Sequence, residues 1–312
     1  MPLRAGIVGL GRVGMLFDDD PNRRRVWTHF STYERLVDRY ELVAVCDPDA
    51  ERRRLAAARR PGVQVFATLD ELLDAEQLDV VSLCTPVDAH AAQVQACAGR
   101  VRAIVCEKPL STDLPSAEAA VGACAASGTL LAVNYYKRFE AAVRETARLI
   151  DDGALGTLRA ATTLYSGPLD EVGSHAIDLL QFLLGPLDVQ AANGGSALLG
   201  FGDGGVAALV AAGRREDLVF ELDIIGSEGR ARVLDNCARL ETSRFAASSN
   251  YAGYRELVPV GMLEAEAEPF LALFTELADA FAGGTTTLTA DGASALGTQS
   301  LLDTIGADVA RH

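Results

Sequence analysis

Short runs of β-branched and other apolar residues alternate, over the first 135 residues, with stretches whose apolar positions recur at helical spacing. The runs predict strands near 3–8, 42–46, 63–66, 79–84, 102–106 and 129–133. Between them the spacing predicts helices near 11–17, 28–39, 49–59, 69–75, 87–99 and 114–127. Alternation of this kind points to parallel strands, because a parallel neighbour is reached only by a crossover over the sheet face. After Asn134 the rhythm changes. A charged helix at 137–151 stops at Asp151-Asp152-Gly153, a strand follows at 157–165, and a helix at 173–184 stops at Gly185-Pro186. Runs at 187–192, 197–201, 205–213, 217–225, 230–234 and 238–243 read as strands, with Gly-rich turns at 202–205 and 226–229 placed to close hairpins. Such a series makes an antiparallel sheet. Helices near 268–283 and 289–310 close the pattern.

The fold class is therefore α/β: a doubly wound parallel sheet, then an α+β domain with a large, mostly antiparallel sheet. The boundary falls at 1–134 and 135–312, with helix 289–310 placed to pack back on the first domain. A chain of 312 residues has room for two cores. Its apolar and charged shares, 49% and 23%, exclude a disordered or collagen-like reading. No apolar run reaches the roughly 18 residues of a spanning helix, and the N-terminus reads straight into a strand rather than a leader. These features place the chain in the cytoplasm. A net charge of −15 argues against nucleic acid and anionic membrane surfaces as partners. The six cysteines form no Cys-x-x-Cys pair, and no His, Cys and carboxylate set has metal spacing, so neither a disulfide framework nor a metal is expected.

Gly9-Leu10-Gly11-Arg12-Val13-Gly14 follows the first strand directly and opens a helix, which gives its glycine spacing meaning. Gly9 permits the tight turn, Gly11 lets the backbone approach a pyrophosphate, and Gly14 lets helix and strand pack closely. Amides of the loop, those of Arg12 and Val13 included, then meet the anion. This is a Rossmann-type dinucleotide loop. The second strand ends at Asp47, where a carboxylate accepts from the adenosine ribose hydroxyls and repels a 2′-phosphate. NAD is expected over NADP, although Arg52, Arg53 and Arg54 lie close by, and Asp47-Pro48-Asp49 can equally cap the next helix. The segment Asp18 to Arg25 is longer than the unit needs and reads as a solvated loop, with a lid or interface as the alternative.

Only two lysines, Lys108 and Lys137, occur among 28 basic residues. Arginine stays protonated in proteins while lysine can be tuned to give up its proton, so each lysine raises a chemical question. Lys108 lies in Glu107-Lys108-Pro109 at the end of the fifth strand. The fourth strand ends in Thr85-Pro86, with His90 shortly after. Further on come Asn134, Arg138-Phe139 and Glu171-x-Gly173-x-His175-x-x-Asp178. Together with the glycine loop and Asp47, these motifs resemble the glucose-fructose oxidoreductase and inositol dehydrogenase family (Gfo/Idh/MocA), in order along the whole chain, with specific motifs thinning after about residue 185.

The resemblance implies a sugar or cyclitol oxidoreductase whose second-domain sheet forms subunit contacts, giving a homodimer or homotetramer. It implies that Lys108 faces nicotinamide and substrate, and that His175 with the acidic position 171 completes the catalytic group. The family's usual residue at that position is aspartate, and here it is Glu171. From the residues alone, a helix over 171–184 sets Glu171, His175 and Asp178 at i, i+4 and i+7 on one face. A carboxylate there orients the imidazole. His175 can then act as general base with Lys108 polarising the carbonyl oxygen, or Lys108 can itself be the base. Tyr136, Arg138 and Asp178 are candidate substrate contacts, with packing of Tyr135 and Tyr136 among charged neighbours as the equal reading. Thr85, Pro86, His90 and Glu107 are cofactor-flanking candidates. The reading is an NAD(P)-dependent dehydrogenase or ketoreductase acting on a CH–OH group. Its rivals are a hydrolase that retains NAD and oxidises its sugar transiently, and an NAD-binding sensor without turnover.

Overall fold

The computed structural model describes residues 1–283 and 287–309. The chain divides into two compact units, one of Met1–Tyr136 with Glu268–Gln299, the other of Lys137–Ala267 continued from Ser300 onward. No helix among the described residues is long and apolar enough to cross a membrane.

In the first unit the strands are β1 (Leu3–Val8), β2 (Tyr40–Cys46), β3 (Gln64–Phe66), β4 (Val80–Leu83), β5 (Ala103–Cys106) and β6 (Leu130–Val133). They pair in the order β3-β2-β1-β4-β5-β6, every pair parallel. The order reverses beside β1, which opens a crevice at the carboxyl ends of the central strands. Helices α1 (His29–Arg35), α2 (Ala50–Arg59), α3 (Leu69–Ala75), α4 (Val87–Cys97) and α5 (Leu114–Ser127) make the crossovers. Their starts are written in the sequence. The Asp49 and Asp113 carboxylates accept backbone N–H bonds at the starts of α2 and α5, Thr68 and Glu71 form a capping box on α3, and Gly128 ends α5 in the left-handed region.

Two departures from expectation occur early. The helix foreseen at 11–17 is a single wide π-type turn, Arg12–Leu16, followed by a 3₁₀ turn, Phe17–Asp19. The helix foreseen at 28–39 ends at Arg35, because the chain must leave it at Leu36 to enter β2 at Tyr40. The segment 18–25 is tied at its root, where the Asp18 carboxylate accepts from Trp27 N at 2.9 Å and Thr28 Oγ1 at 2.6 Å. Residues 19–24 are exposed.

The second unit opens at Lys137, inside a 3₁₀ turn, Tyr136–Phe139, that is followed by α6 (Ala141–Asp151), where one continuous helix is expected from 137. Lys137, Arg138 and Glu140 are buried there rather than lying on a solvated face. Next come β7 (Leu158–Ser166), α7 (Ser174–Leu184), β8 (Leu187–Asn193), β9 (Ser196–Phe201), β10 (Gly205–Gly213), β11 (Phe220–Gly226), β12 (Gly229–Leu234), β13 (Arg239–Ala247) and β14 (Arg255–Glu264). The sheet order is β14-β13-β12-β11-β7-β10-β9-β8, antiparallel except for β7 with β10. Both Gly-rich turns close hairpins. One face of the sheet, carrying Tyr165, Leu199, Leu209, Leu222 and Ile224, packs into a core with Val143, Ile177, Leu180 and Ile305. Strand β14 is not foreseen by the hydrophobic pattern. It is an edge strand, largely exposed and carrying Pro259, so no buried alternation marks it.

The last helices are α8 (Pro269–Gly283) and α9 (Gly292–Val309). Residue 310, the foreseen end of the second, lies outside the described residues. The segment 268–299 groups with the first unit although it follows the second in sequence. Phe274 packs edge-on against His29, Tyr33 and Tyr40, the Tyr40 hydroxyl donates to Phe274 O at 2.6 Å, and Val133 N donates to Ala290 O at 2.9 Å.

Candidate functional site

The carboxyl ends of β1, β2, β4, β5 and β6 gather the first unit's candidate residues on one edge of one sheet. Gly9 has φ +92°, and a Cβ there would stand 2.6 Å from Cys84 O. At Gly14 a Cβ would stand 2.0 Å from Gly9 O. Neither position admits a side chain. Gly11 differs: its nearest neighbour would be Arg52 Nη1 at 3.9 Å. No protein atom requires a glycine at 11, and bare backbone facing open space is what a pyrophosphate needs. The loop therefore fits a dinucleotide. Arg12 is exposed and Val13 half-buried in the π-type turn.

Asp47, 2% exposed, holds the loop from behind. Its Oδ2 accepts from Leu10 N at 2.7 Å and its Oδ1 from Asp49 N at 2.8 Å, with Arg52 Nη1 3.5 Å from Oδ2. The helix cap itself is Asp49. A carboxylate offers about four lone-pair positions, so these bonds leave acceptor capacity for ribose hydroxyls.

At the end of β4, Thr85 Oγ1 donates to Gln93 Oε1 at 2.6 Å and Pro86 precedes α4. His90 is buried. Its Nδ1 lies 2.8 Å from Pro109 O and its Nε2 2.8 Å from Thr85 O, so the ring ties the turn after β4 to the turn after β5. Lys108 is half-buried at the second turn, with a cis peptide to Pro109.

Glu107, beside Lys108, is directed into the protein. Its Oε1 lies 3.0 Å from His29 Nε2 and accepts from Asn134 Nδ2 at 2.5 Å, and its Oε2 accepts from Lys108 N at 3.3 Å. Burial by itself raises the carboxyl's pKa. The hydrogen bond and charge of His29, the bond from Asn134 and the charge of Lys108 outweigh it and hold Glu107 below the ordinary range. His29 is the residue the sequence reading misses. Its signal is a lone histidine in the apolar run Val26 to Phe30, and its partners Ser82 and Glu107 are 53 and 78 residues away. Nearby thiols are inert: burial, the largest cause, pushes Cys84 and Cys106 well up, the Glu107 charge adds to this, and Cys46 rises to about 12.

In the second unit the expected helical face is altered. Glu171 lies in a π-type turn, Leu169–Gly173, and α7 begins only at Ser174. Glu171 forms an ion pair with Arg215, both side chains about half-exposed. Asp178 is fully buried and accepts from Arg138 Nε at 2.9 Å and Nη2 at 2.6 Å. Two residues read as substrate contacts thus hold each other. His175 is buried at the start of α7. Tyr136, which groups with the first unit, packs on Trp27 at 5.4 Å and Phe270 at 5.3 Å. Its ring thus packs among aromatic rings rather than among the charged neighbours expected. Lys137 Nζ donates to Asn236 Oδ1 at 2.8 Å and sits 4.1 Å from the centre of the Phe220 ring. Among the described residues no cluster of His, Cys, Asp and Glu could hold a metal ion.

Residues 3–135 match the model of the oxidoreductase family with an NAD-binding Rossmann fold, Gfo/Idh/MocA. The chain is 33% identical over 176 residues to D-apiose dehydrogenase of Paraburkholderia graminis, covering 51% of this chain and 47% of that protein. It is 35% identical over 155 residues to inositol 2-dehydrogenase 4 of Saccharopolyspora erythraea, covering 49% and 42%. The chain thus spans about half the length of the curated relatives it matches. The oxidoreductase domain protein from Kribbella flavida shares the fold over 100% of this chain and 98% of its own, with a TM-score of 0.80 at 20% identity. The WlbA dehydrogenase from Bordetella pertussis, solved with NADH and UDP-GlcNAcA, shares it over 99% and 97%, with a TM-score of 0.77 at 22% identity. Residues 3–135, with their glycine loop and six-stranded parallel sheet, thus match the NAD-binding Rossmann domain of the Gfo/Idh/MocA oxidoreductases.

Proposed function

We propose that the chain is an NAD-dependent dehydrogenase or ketoreductase acting on a secondary alcohol or ketone of a sugar, cyclitol or related polyhydroxy compound. The carrying observation is one of placement. The bare-backbone loop, Asp47, Thr85 and Lys108 all stand at the carboxyl ends of parallel strands, the edge where doubly wound sheets bind their ligands. The substrate class is supported by the relatives' names, D-apiose and inositol dehydrogenases. When bound, the nicotinamide supplies the hydride acceptor or donor.

The chain's own residues supply binding and proton handling. The loop amides hold the pyrophosphate, and Asp47 accepts from the ribose while its charge disfavours a 2′-phosphate, which makes NAD the preferred cofactor. Lys108 is assigned to the substrate oxygen, where its ammonium stabilises the charge that develops as hydride moves. His175 is assigned the hydroxyl proton, as general base in oxidation and general acid in reduction. Replacing Lys108 with Arg keeps a charge but changes its shape and its capacity to give up a proton. Assayed at the NADH absorbance band against free, phosphorylated and nucleotide-linked sugars and cyclitols, Lys108→Arg should lose about 1,000-fold in turnover while NAD still binds. Near-normal turnover in that variant would sink the assignment.

A second copy of the chain over the open face of the eight-stranded sheet belongs to the same reading. Leu198 and Val206 are 42% and 38% exposed on strands whose alternate residues are buried, and Met262 is 63% exposed at the far edge. Light scattering should give at least twice the 32.9 kDa of one chain; a single-chain mass would refute it.

A further inference from the structure

We propose that His29 is a positioning residue for Lys108, acting through the Glu107 carboxylate. The inference rests on the role of Lys108 given above. It starts from a polar chain in the interior of the first unit, running from the Tyr33 hydroxyl to Ser82 Oγ at 2.8 Å, from Ser82 Oγ to His29 Nδ1 at 2.9 Å, and from His29 Nε2 to Glu107 Oε1 at 3.0 Å. Tyr33, Ser82, His29 and Asn134 are each no more than 1% exposed, and Glu107 is 8% exposed. The rings of Phe270 and Phe274 close over His29 edge-on, at 5.7 Å and 5.3 Å between centres.

A buried carboxylate is expensive unless donors meet it, and this one has donors from three elements. His29 comes from α1, Asn134 follows β6, and Lys108 N follows in the chain itself. With Oε1 held by two side chains and Oε2 against the Lys108 amide, the Glu107 side chain is pinned at both ends of its carboxylate. The peptide that carries Lys108 away from β5 is pinned with it. Without His29 the carboxylate keeps only Asn134 as a side-chain donor, and the turn can rotate.

The chain is not a proton path. It ends at Tyr33, whose hydroxyl is buried and whose proton is held tightly, burial being the main cause. Since the chain leads to no exposed acceptor, its consequence is geometric. A displacement of about 1 Å at a reacting group can cost about 100-fold in rate.

The test compares His29→Phe, His29→Gln, Glu107→Gln and their combination in the full-length protein with NAD and its best polyhydroxy substrate. Phe fills the same aromatic pocket and donates nothing, while Gln keeps a donor. His29→Phe should lower kcat by about 30- to 100-fold, with the Kd for NAD and the KM for the alcohol within about threefold. His29→Gln should recover at least part of the loss. Once Glu107 is Gln, His29→Phe should cost little more, because the charge-assisted bond from His29 to the carboxylate is already lost. If His29→Phe does not give folded protein, His29→Leu, which likewise donates nothing, and Glu107→Gln carry the same cycle. A kcat within threefold of the parent in His29→Phe, or losses that simply multiply in the combination, overturns the positioning role. The reading of Lys108 is judged separately, since Lys108→Arg must be inactive in the same assay. If it turns over normally, both ideas fall.

Discussion

The loop after β1 and the start of α7 are the two places where motif residues crowd together, and they use their residues in opposite ways. At the loop the useful feature is what side chains do not occupy: Gly9 and Gly14 are bare because protein atoms stand within 2.6 Å and 2.0 Å of a Cβ, and Gly11 is bare where nothing stands closer than 3.9 Å. At α7 the charged residues meet partners within their own unit, Asp178 with Arg138 and Glu171 with Arg215. The contrast teaches that a glycine spacing reads out function almost directly, because backbone sterics are local. A charged residue in a motif reads out function only after its partner is known. Burial then separates the two pairs. Arg138 and Asp178 have side-chain exposures of 3% and 0%, whereas Arg215 and Glu171 stand at 53% and 45%. Only the first pair sits where an unmatched charge is costly.

This contrast can be broken or sharpened by substitution. The largest effect belongs to Gly14→Ala, whose added carbon has no room, so NAD binding should vanish by calorimetry and the first unit should be strongly destabilised or fail to fold. Gly11→Ala is its counterpart. It should leave the denaturation midpoint nearly unchanged, within about 0.5 kcal/mol, yet weaken NAD binding by about tenfold or more, roughly 1.4 kcal/mol. If Gly11→Ala binds NAD like the parent, the bare backbone is not meeting a pyrophosphate. Smaller effects separate the acids of the second unit. Asp178→Ala leaves the Arg138 guanidinium buried without its carboxylate and should cost about 3 kcal/mol in urea unfolding. Unchanged stability with a raised KM would restore Asp178 as a substrate contact. Glu171→Gln should cost under about 1 kcal/mol, as exposed pairs do, and reduce kcat by less than about tenfold. A loss of about 100-fold would instead put Glu171 in the catalytic group.

Much of the first unit was legible beforehand, for reasons visible in particular residues. From residue 40 to 133 each foreseen strand and helix lies within two residues of its observed bounds, because caps such as Asp49, Thr68 and Asp113 and the stop at Gly128 act over a single turn. The π-type turn at Arg12–Leu16 escaped notice because it differs from an α-helical turn only in which carbonyl each amide reaches. Met15 N and Leu16 N both donate to Gly11 O. Strand β14 escaped because an exposed edge carries no buried alternation. The grouping of 268–299 with the first unit depends on aromatic packing of Phe270 and Phe274, residues that in sequence resemble any amphipathic helix.

The sequence by itself determined the parallel sheet, the glycine loop with its acidic strand end, and the place of Lys108 at the close of β5. Each depends on torsional preference or periodicity over a few neighbouring residues. Only the tertiary structure decided that Glu107 faces inward onto His29 and Asn134, and that Arg138 and Asp178 neutralise each other out of water. Those partners lie 78, 27 and 40 residues apart along the chain. A buried charge takes whichever partner packing brings within about 3 Å, and no local pattern records which one that is.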